Sequence, residues 1–147
     1  MEPIKLLSAI EDIISAVDKI LPSYLANSAD YEKSIGNVAL CIIDEFGRVH
    51  GKMYGTDKIK MRQAHLVAWK KASQVWITGI KTGEFEKLVF SGLLDEHTYG
   101  ISKPDFIGWG GGQPITLYDG TKLSIGFSGM RGSTDLEIVS KAVSMIG

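Results

Sequence analysis

The sequence predicts an α+β fold: an antiparallel sheet of two hairpins, with room for a fifth strand, flanked by helices. Three observations carry this. Two pairs of short strand-like segments each straddle a turn, Asp44-Glu45-Phe46-Gly47 in the first and Asp119-Gly120 in the second. Stretches with a helical apolar period lie before, between and after those pairs, an order that packs helices on one or both faces of the sheet. At 147 residues the chain has the size of one domain, long enough to bury a core without disulfides or a structural metal.

Residues 4–21 place Leu6, Ile10, Ile13, Ile14, Val17, Ile20 and Leu21 on one side and Glu11, Asp12, Asp18 and Lys19 on the other, an amphipathic helix that Pro22 should end. The small, polar stretch 23–36 reads as a connection with at most a helical turn. The run Val38-Ala39-Leu40-Cys41-Ile42-Ile43 is too short and too β-branched for a helix and reads as a strand covered on both faces. Residues 48–54 return as its hairpin partner, and Gly55-Thr56-Asp57 ends that strand with helix-capping oxygens. A long helix is expected over 59–76, with Met61, Ala64, Leu66, Ala68, Ala72, Val75 and Trp76 as its apolar positions. Thr82 is the expected N-cap of a short helix over 84–90, closed by Gly92. Residues 93–113 lack a period, contain Pro104 and end in Gly110-Gly111-Gly112-Gln113; loops this long are usually functional or disordered. The segments 115–118 and 123–127 alternate around Asp119-Gly120 as the second hairpin. A last helix follows, with Thr134 and Glu137 at capping-box spacing and Leu136, Val139, Val143 and Ile146 as its stripe.

Charge and cysteine content narrow the function classes. Sixteen basic against seventeen acidic residues give a net charge of −1, so neither nucleic acid nor membrane is expected as a partner. The single cysteine, Cys41, reads as a small buried hydrophobe, which agrees with a reducing, cytoplasmic setting. The N-terminus has the wrong pattern for a secretory signal, and no apolar stretch is long enough to span a bilayer. Zinc-ligand spacing is missing, and neither Ser128 nor Cys41 sits in a nucleophile elbow.

Four short motifs occur in fixed order: Asp44-x-x-Gly47, Ala68-x-x-Lys71-Ala72, Gly110-Gly111-Gly112-x-Pro114-Ile115, and Gly126-x-Ser128-Gly129 followed by Asp135. From residue 38 to the C-terminus the chain resembles the GlcG/HbpS-like family, which includes the C-terminal domain of PduO-type proteins. The resemblance implies one GlcG/HbpS-like domain over 1–147, with a profilin-like antiparallel sheet. It also implies homo-oligomers and, from known members, binding of haem or related tetrapyrroles. The segment Lys52-Met53-Tyr54-Gly55-Thr56-Asp57 departs from the family's Arg-containing pattern, as does Gln63-Ala64-His65.

Within that frame the candidate site residues are these. Gly110, Gly111 and Gly112 expose backbone N–H groups and permit positive φ, so they can wrap an anionic group or merely enter the next strand. Ser128, Gly129 and Arg131 lie where a strand meets a helix N-terminus, the preferred anion site, with capping by Ser133 or Thr134 as the plain alternative. His65 and Trp69, four residues apart on one helix, share a face that suits a flat cofactor, with His65 as the first choice for a haem-iron ligand. His97, beside Asp95 and Glu96, is the alternative ligand or general base, and His50 ranks below both. Lys71 would form a Schiff base only if buried, and beside Lys70 it reads as a solvated helix-surface lysine.

The leading expectation is a small-ligand-binding protein, holding haem or another anionic planar molecule between the 59–76 helix and the glycine-rich loops. The alternative is a cofactor-independent enzyme on a small carboxylate, with His65 or His97 moving the proton. A third reading is an interaction module with Trp76 and Trp109 as interface anchors.

Overall fold

The computed structural model describes residues 2–101 and 107–146. Helices α1 (Pro3–Leu25) and α2 (Ser28–Ser34) precede the hairpin of β1 (Val38–Asp44) and β2 (Val49–Tyr54). Helices α3 (Lys58–Thr78) and α4 (Thr82–Phe90) follow, then a 3₁₀ turn over Glu96–Tyr99, β3 (Gly112–Thr116), β4 (Lys122–Ser128) and α5 (Gly132–Met145). The sheet has the order β2-β1-β4-β3 with every pair antiparallel, so the two hairpins join through β1 and β4. The expected α+β architecture is the one formed. Four strands occur among the described residues, and no fifth.

Side-chain alternation along β1 divides two cores. Val38, Leu40 and Ile42 point toward α1 and α5, where they meet Leu6, Ile10, Ile13 and Val17 together with Ile138 and Val139. Burying each such aliphatic side chain is worth about 1.5–3 kcal/mol, so this is the stronger side. Ala39, Cys41 and Ile43 face the other way, toward Ala64, Ala68 and Ala72 of α3. Alanines let α3 approach closely. A Cβ at Gly126 would lie 2.2 Å from the Ala68 carbonyl oxygen and 2.7 Å from the Ala72 nitrogen. Gly51, Cys41, Gly126 and Gly112 stand in register across the sheet, and this row of small residues forms the bed of the helix.

Several local expectations change. Pro22 lies inside α1 rather than ending it. Proline has no amide hydrogen for the carbonyl four residues back, but this close to the C-terminus the helix forfeits one bond and continues. Thr82 stands in the first turn of α4; its hydroxyl donates to the Trp109 carbonyl at 2.5 Å and accepts from the Gly112 amide at 3.2 Å. The expected capping box at Thr134 is not used, because α5 begins at Gly132 and the Thr134 hydroxyl donates to Asp30. Strand β3 starts at Gly112, earlier than the alternation suggests, so that glycine is strand backbone. Leu66 and Trp76, expected on the buried face of α3, are 43% and 48% exposed. Part of the 93–113 loop is pinned to α3: the Gln74 carboxamide accepts from the Ile107 amide and donates to the Ile107 carbonyl, both at 2.8 Å. Pro104 lies outside the described residues. No helix among them is long and apolar enough to cross a membrane.

Candidate functional site

Two of the cavities beside α3 hold candidate site residues. The larger of these two, about 550 Å³, lies between the outer side of α3 and the first hairpin, walled by Ile43, Val49, Trp69, Trp76 and Ile77. The two indoles are 44% and 48% exposed, so the cavity opens to solvent along its aromatic wall. Trp76 is oriented by a hydrogen bond from Nε1 to the Asp44 carbonyl at 3.1 Å. Gly47, whose φ of +82° is in the left-handed region, lies beside its ring in the turn that Asp44 builds by accepting from the Phe46 and Arg48 amides. Lys70, Ser73 and Gln74 are the polar groups on the lining.

The smaller cavity, about 190 Å³, lies on the inner flank of α3, against the strand-to-helix turn of β4 and α5. Its walls include Lys33, Lys71, Trp109, Ser128, Gly129 and Asp135. The Lys71 ammonium donates to the Phe127 carbonyl at 2.8 Å and to Asp135 Oδ2 at 3.3 Å, and both side chains of the pair are 2% exposed. Asp135 Oδ1 accepts from the Met130 amide at 3.0 Å. Burial raises the Asp135 carboxyl to about 7 against the opposing pull of Lys71, and burial likewise lowers Lys71. Backbone presses on the pair: a Cβ at Gly111, whose φ is +121°, would lie 2.8 Å from Lys71 Nζ and 2.9 Å from the Asp135 Cβ.

Arg131 serves a different purpose from the one its position suggests. Its Nε and Nη2 fork onto the buried Asp30 carboxylate at 3.0 and 3.1 Å, and its own amide reaches Asp30 Oδ1 at 3.0 Å. Thr134 Oγ1 completes the set on Oδ2 at 3.0 Å. The anion at the start of α5 is therefore the protein's own. Arg131's hydrogen bonds hold Asp30 well below the usual carboxylate range.

The remaining predicted residues separate. Ser128 and Gly129 line the small cavity, and Gly110 and Gly111 pack beside it: a Cβ on Gly110 would meet the Gly132 carbonyl at 3.0 Å. Gly112 pairs with Gly126 in the sheet. Trp69 lines the large cavity, on the other flank of the helix, since successive helical residues turn by about 100° and Val67 and Lys71 face the small one. His65, half-buried, lines neither cavity. His97 is exposed on the 3₁₀ turn, where its amide donates to Asp95 Oδ1 at 2.9 Å. The structure thus does not bring His65 or His97 to the glycine loops. Among the described residues no group of three His, Cys, Asp or Glu side chains is placed to hold a metal ion.

Sequence reasoning missed the buried Lys71–Asp135 pair, Gln74 and Asp30. Lys71 was expected in solvent, yet it stands with Gln74 among Ala64, Ala68, Ala72 and Val75, the residues of α3 that are buried. That spacing was the available signal.

No family model and no curated protein matches the chain. Solved structures share its fold. The protein ORFY of Klebsiella pneumoniae aligns with a TM-score of 0.71 at 17% identity, over 95% of this chain and 88% of that one. The PduOC:Heme complex aligns with a TM-score of 0.69 at 17% identity, over 93% and 91%. A double mutant of HbpS from Streptomyces reticuli aligns at 0.63 and 18%, over 93% and 85%. The proteins that the motif series resembles are among those whose fold this chain adopts.

Proposed function

We propose that the chain is a small-ligand-binding protein and that its ligand is a planar, largely apolar molecule seated against Trp69 and Trp76. The observation that carries this is the 550 Å³ cavity, which falls within the roughly 300–1,000 Å³ of small-molecule sites and has the mainly apolar wall with few polar points that such sites show. Two indoles supply stacking surface, while Lys70 and Ser73 stand where an acidic substituent would lie. The shared fold with a haem complex supports a tetrapyrrole as one member of that ligand class.

The residues present fit the flat body of haem and not its iron. Among the described residues the cavity wall carries no imidazole, thiolate or thioether. His65 lies one helical turn from Trp69, about 6 Å along the axis, and is not part of the wall. Binding therefore runs through the macrocycle alone.

The test is titration with hemin and with metal-free protoporphyrin, followed by tryptophan fluorescence. Both should quench saturably at one equivalent, Trp69→Ala should weaken both about tenfold or more, and His65→Ala should leave both in place. Absence of saturable quenching by either compound would overturn the reading. Quenching by hemin alone, with a Soret shift abolished in His65→Ala, would overturn the iron-free form of it. The enzymatic alternative through His65 or His97 gains nothing from the arrangement, because neither imidazole stands in the small cavity where an anionic substrate would meet the glycine turn.

A further inference from the structure

The small cavity holds chemistry that ligand binding in the large one does not use. We propose that it is a second, reactive site, in which the Lys71 amine captures the carbonyl carbon of a short 2-oxo acid as an imine while Lys33 attracts the carboxylate.

Four observations support this. First, a buried lysine–aspartate pair that served stability alone would be close-packed, because an ion pair removed from water repays its desolvation only in tight, fully bonded surroundings. Here both residues of the pair line a cavity of about 190 Å³, with room for a molecule of only a few heavy atoms. Second, Lys71 is an ammonium with three N–H groups and donates to two acceptors, Phe127 O and Asp135 Oδ2, so one N–H has no protein acceptor among the described residues although the side chain is 2% exposed. Third, the polar groups that share the wall are those that carbonyl capture needs: the Ser128 hydroxyl to hydrogen-bond the carbonyl oxygen, and Asp135 to take and return a proton. Fourth, Lys33 is exposed yet lines the same cavity, a cation at its mouth for the acid end of the substrate. Burial lowers Lys71 and raises Asp135, which favours the proton transfer that starts the step.

The step balances within the pair. Lys71 gives one proton to Asp135, and the freed nitrogen lone pair forms a bond to the carbonyl carbon as the carbonyl π pair moves to oxygen. A proton passes from the nitrogen to that oxygen, giving the carbinolamine. Asp135 then returns its proton to the hydroxyl, which departs as water while the nitrogen lone pair closes the C=N bond. The pair begins as ammonium and carboxylate and ends as iminium and carboxylate, so the buried charge is unchanged and no oxidant or reductant is consumed.

The experiment is trapping with pyruvate and sodium cyanoborohydride on the full chain, read by intact mass and peptide mapping. One reduced pyruvate adduct per chain is expected, on Lys71, forming severalfold faster than the adduct from acetone, which has the carbonyl without the carboxylate. Lys33→Ala, a change at an exposed side chain, should erase that preference for pyruvate. Lys71→Arg should abolish the adduct, and mapping of the unaltered protein identifies the lysine even if that variant fails to fold. Adducts spread over exposed lysines such as Lys60 at the rate of the urea-unfolded chain, or no adduct at Lys71, would overturn the proposal. Acetone reacting as fast as pyruvate would overturn the 2-oxo acid class. Saturating protoporphyrin should leave trapping intact, so this site and the aromatic cavity stand or fall separately.

Discussion

Lys71 shows how far one side chain can depart from what its type suggests. An ammonium at 2% exposure is tolerated because a carboxylate at 3.3 Å and a backbone carbonyl at 2.8 Å replace part of its water. Removing the carboxylate's charge leaves the ammonium without a counter-ion in a low-dielectric setting, and the nearby Lys33 worsens it. Asp135→Asn should therefore lose about 3–5 kcal/mol of unfolding free energy. The double variant Lys71→Met/Asp135→Asn, which deletes both charges at similar volume, should recover most of that loss, and urea denaturation of the two variants checks the pair. What the sequence concealed here is a partner 64 residues away in the chain. Spacing alone puts Lys71 on the buried face of α3, but only the tertiary arrangement supplies Asp135. Arg131 is the converse case: its place at a helix start is legible, yet its occupant is Asp30, from a stretch read as a connection with at most a helical turn.

At the scale of elements, helices and hairpins follow from period and turn chemistry, whereas the orientation of α3 does not. Its large apolar residues, Leu66, Trp69 and Trp76, lie 43–48% exposed while alanines face the sheet. A hydrophobicity pattern weights residues by size and so points to the wrong face. The deciding quantity is how closely two backbones approach, and glycine in the opposing strand governs that. Gly126→Ala would put a methyl 2.2 Å from the Ala68 carbonyl, where neither neighbour is a side chain that can rotate away. Lifting the helix should cost at least the usual 1–3 kcal/mol or so of overpacking. Gly83→Ala, inside α4 with its nearest neighbour at 3.9 Å, should instead be neutral or stabilising by up to about 1 kcal/mol. The thermal unfolding midpoint should therefore fall in Gly126→Ala and hold or rise in Gly83→Ala.

At the scale of the whole molecule, two hairpins meet at β1 and β4, one core holds α1 and α5, and the thinner one holds α3. The layers follow from the alternation in β1. Which cavity is aromatic and which is charged does not, because both depend on which flank of α3 meets which loop. The Asp30–Arg131 contact is a long-range fastening: it joins α2 to the first turn of α5 across 101 residues and collects four hydrogen bonds on one carboxylate. Arg131's side chain is 50% exposed, so after loss of Asp30 the guanidinium can rehydrate, and the penalty should be about 1–3 kcal/mol rather than that of a fully buried pair. Asp30 titrates below its unfolded value, with Arg131's hydrogen bonds the largest cause. The unfolded chain therefore binds its proton first as pH falls. This contribution is complete above the ordinary aspartate value of about 4 and is lost as pH drops through the lower folded value. Urea unfolding should accordingly weaken from pH 6 toward pH 3, and in Asp30→Asn, which is less stable at pH 6, this part of the acid dependence should vanish. An equal acid slope in both proteins would show that Asp30 does not make this link.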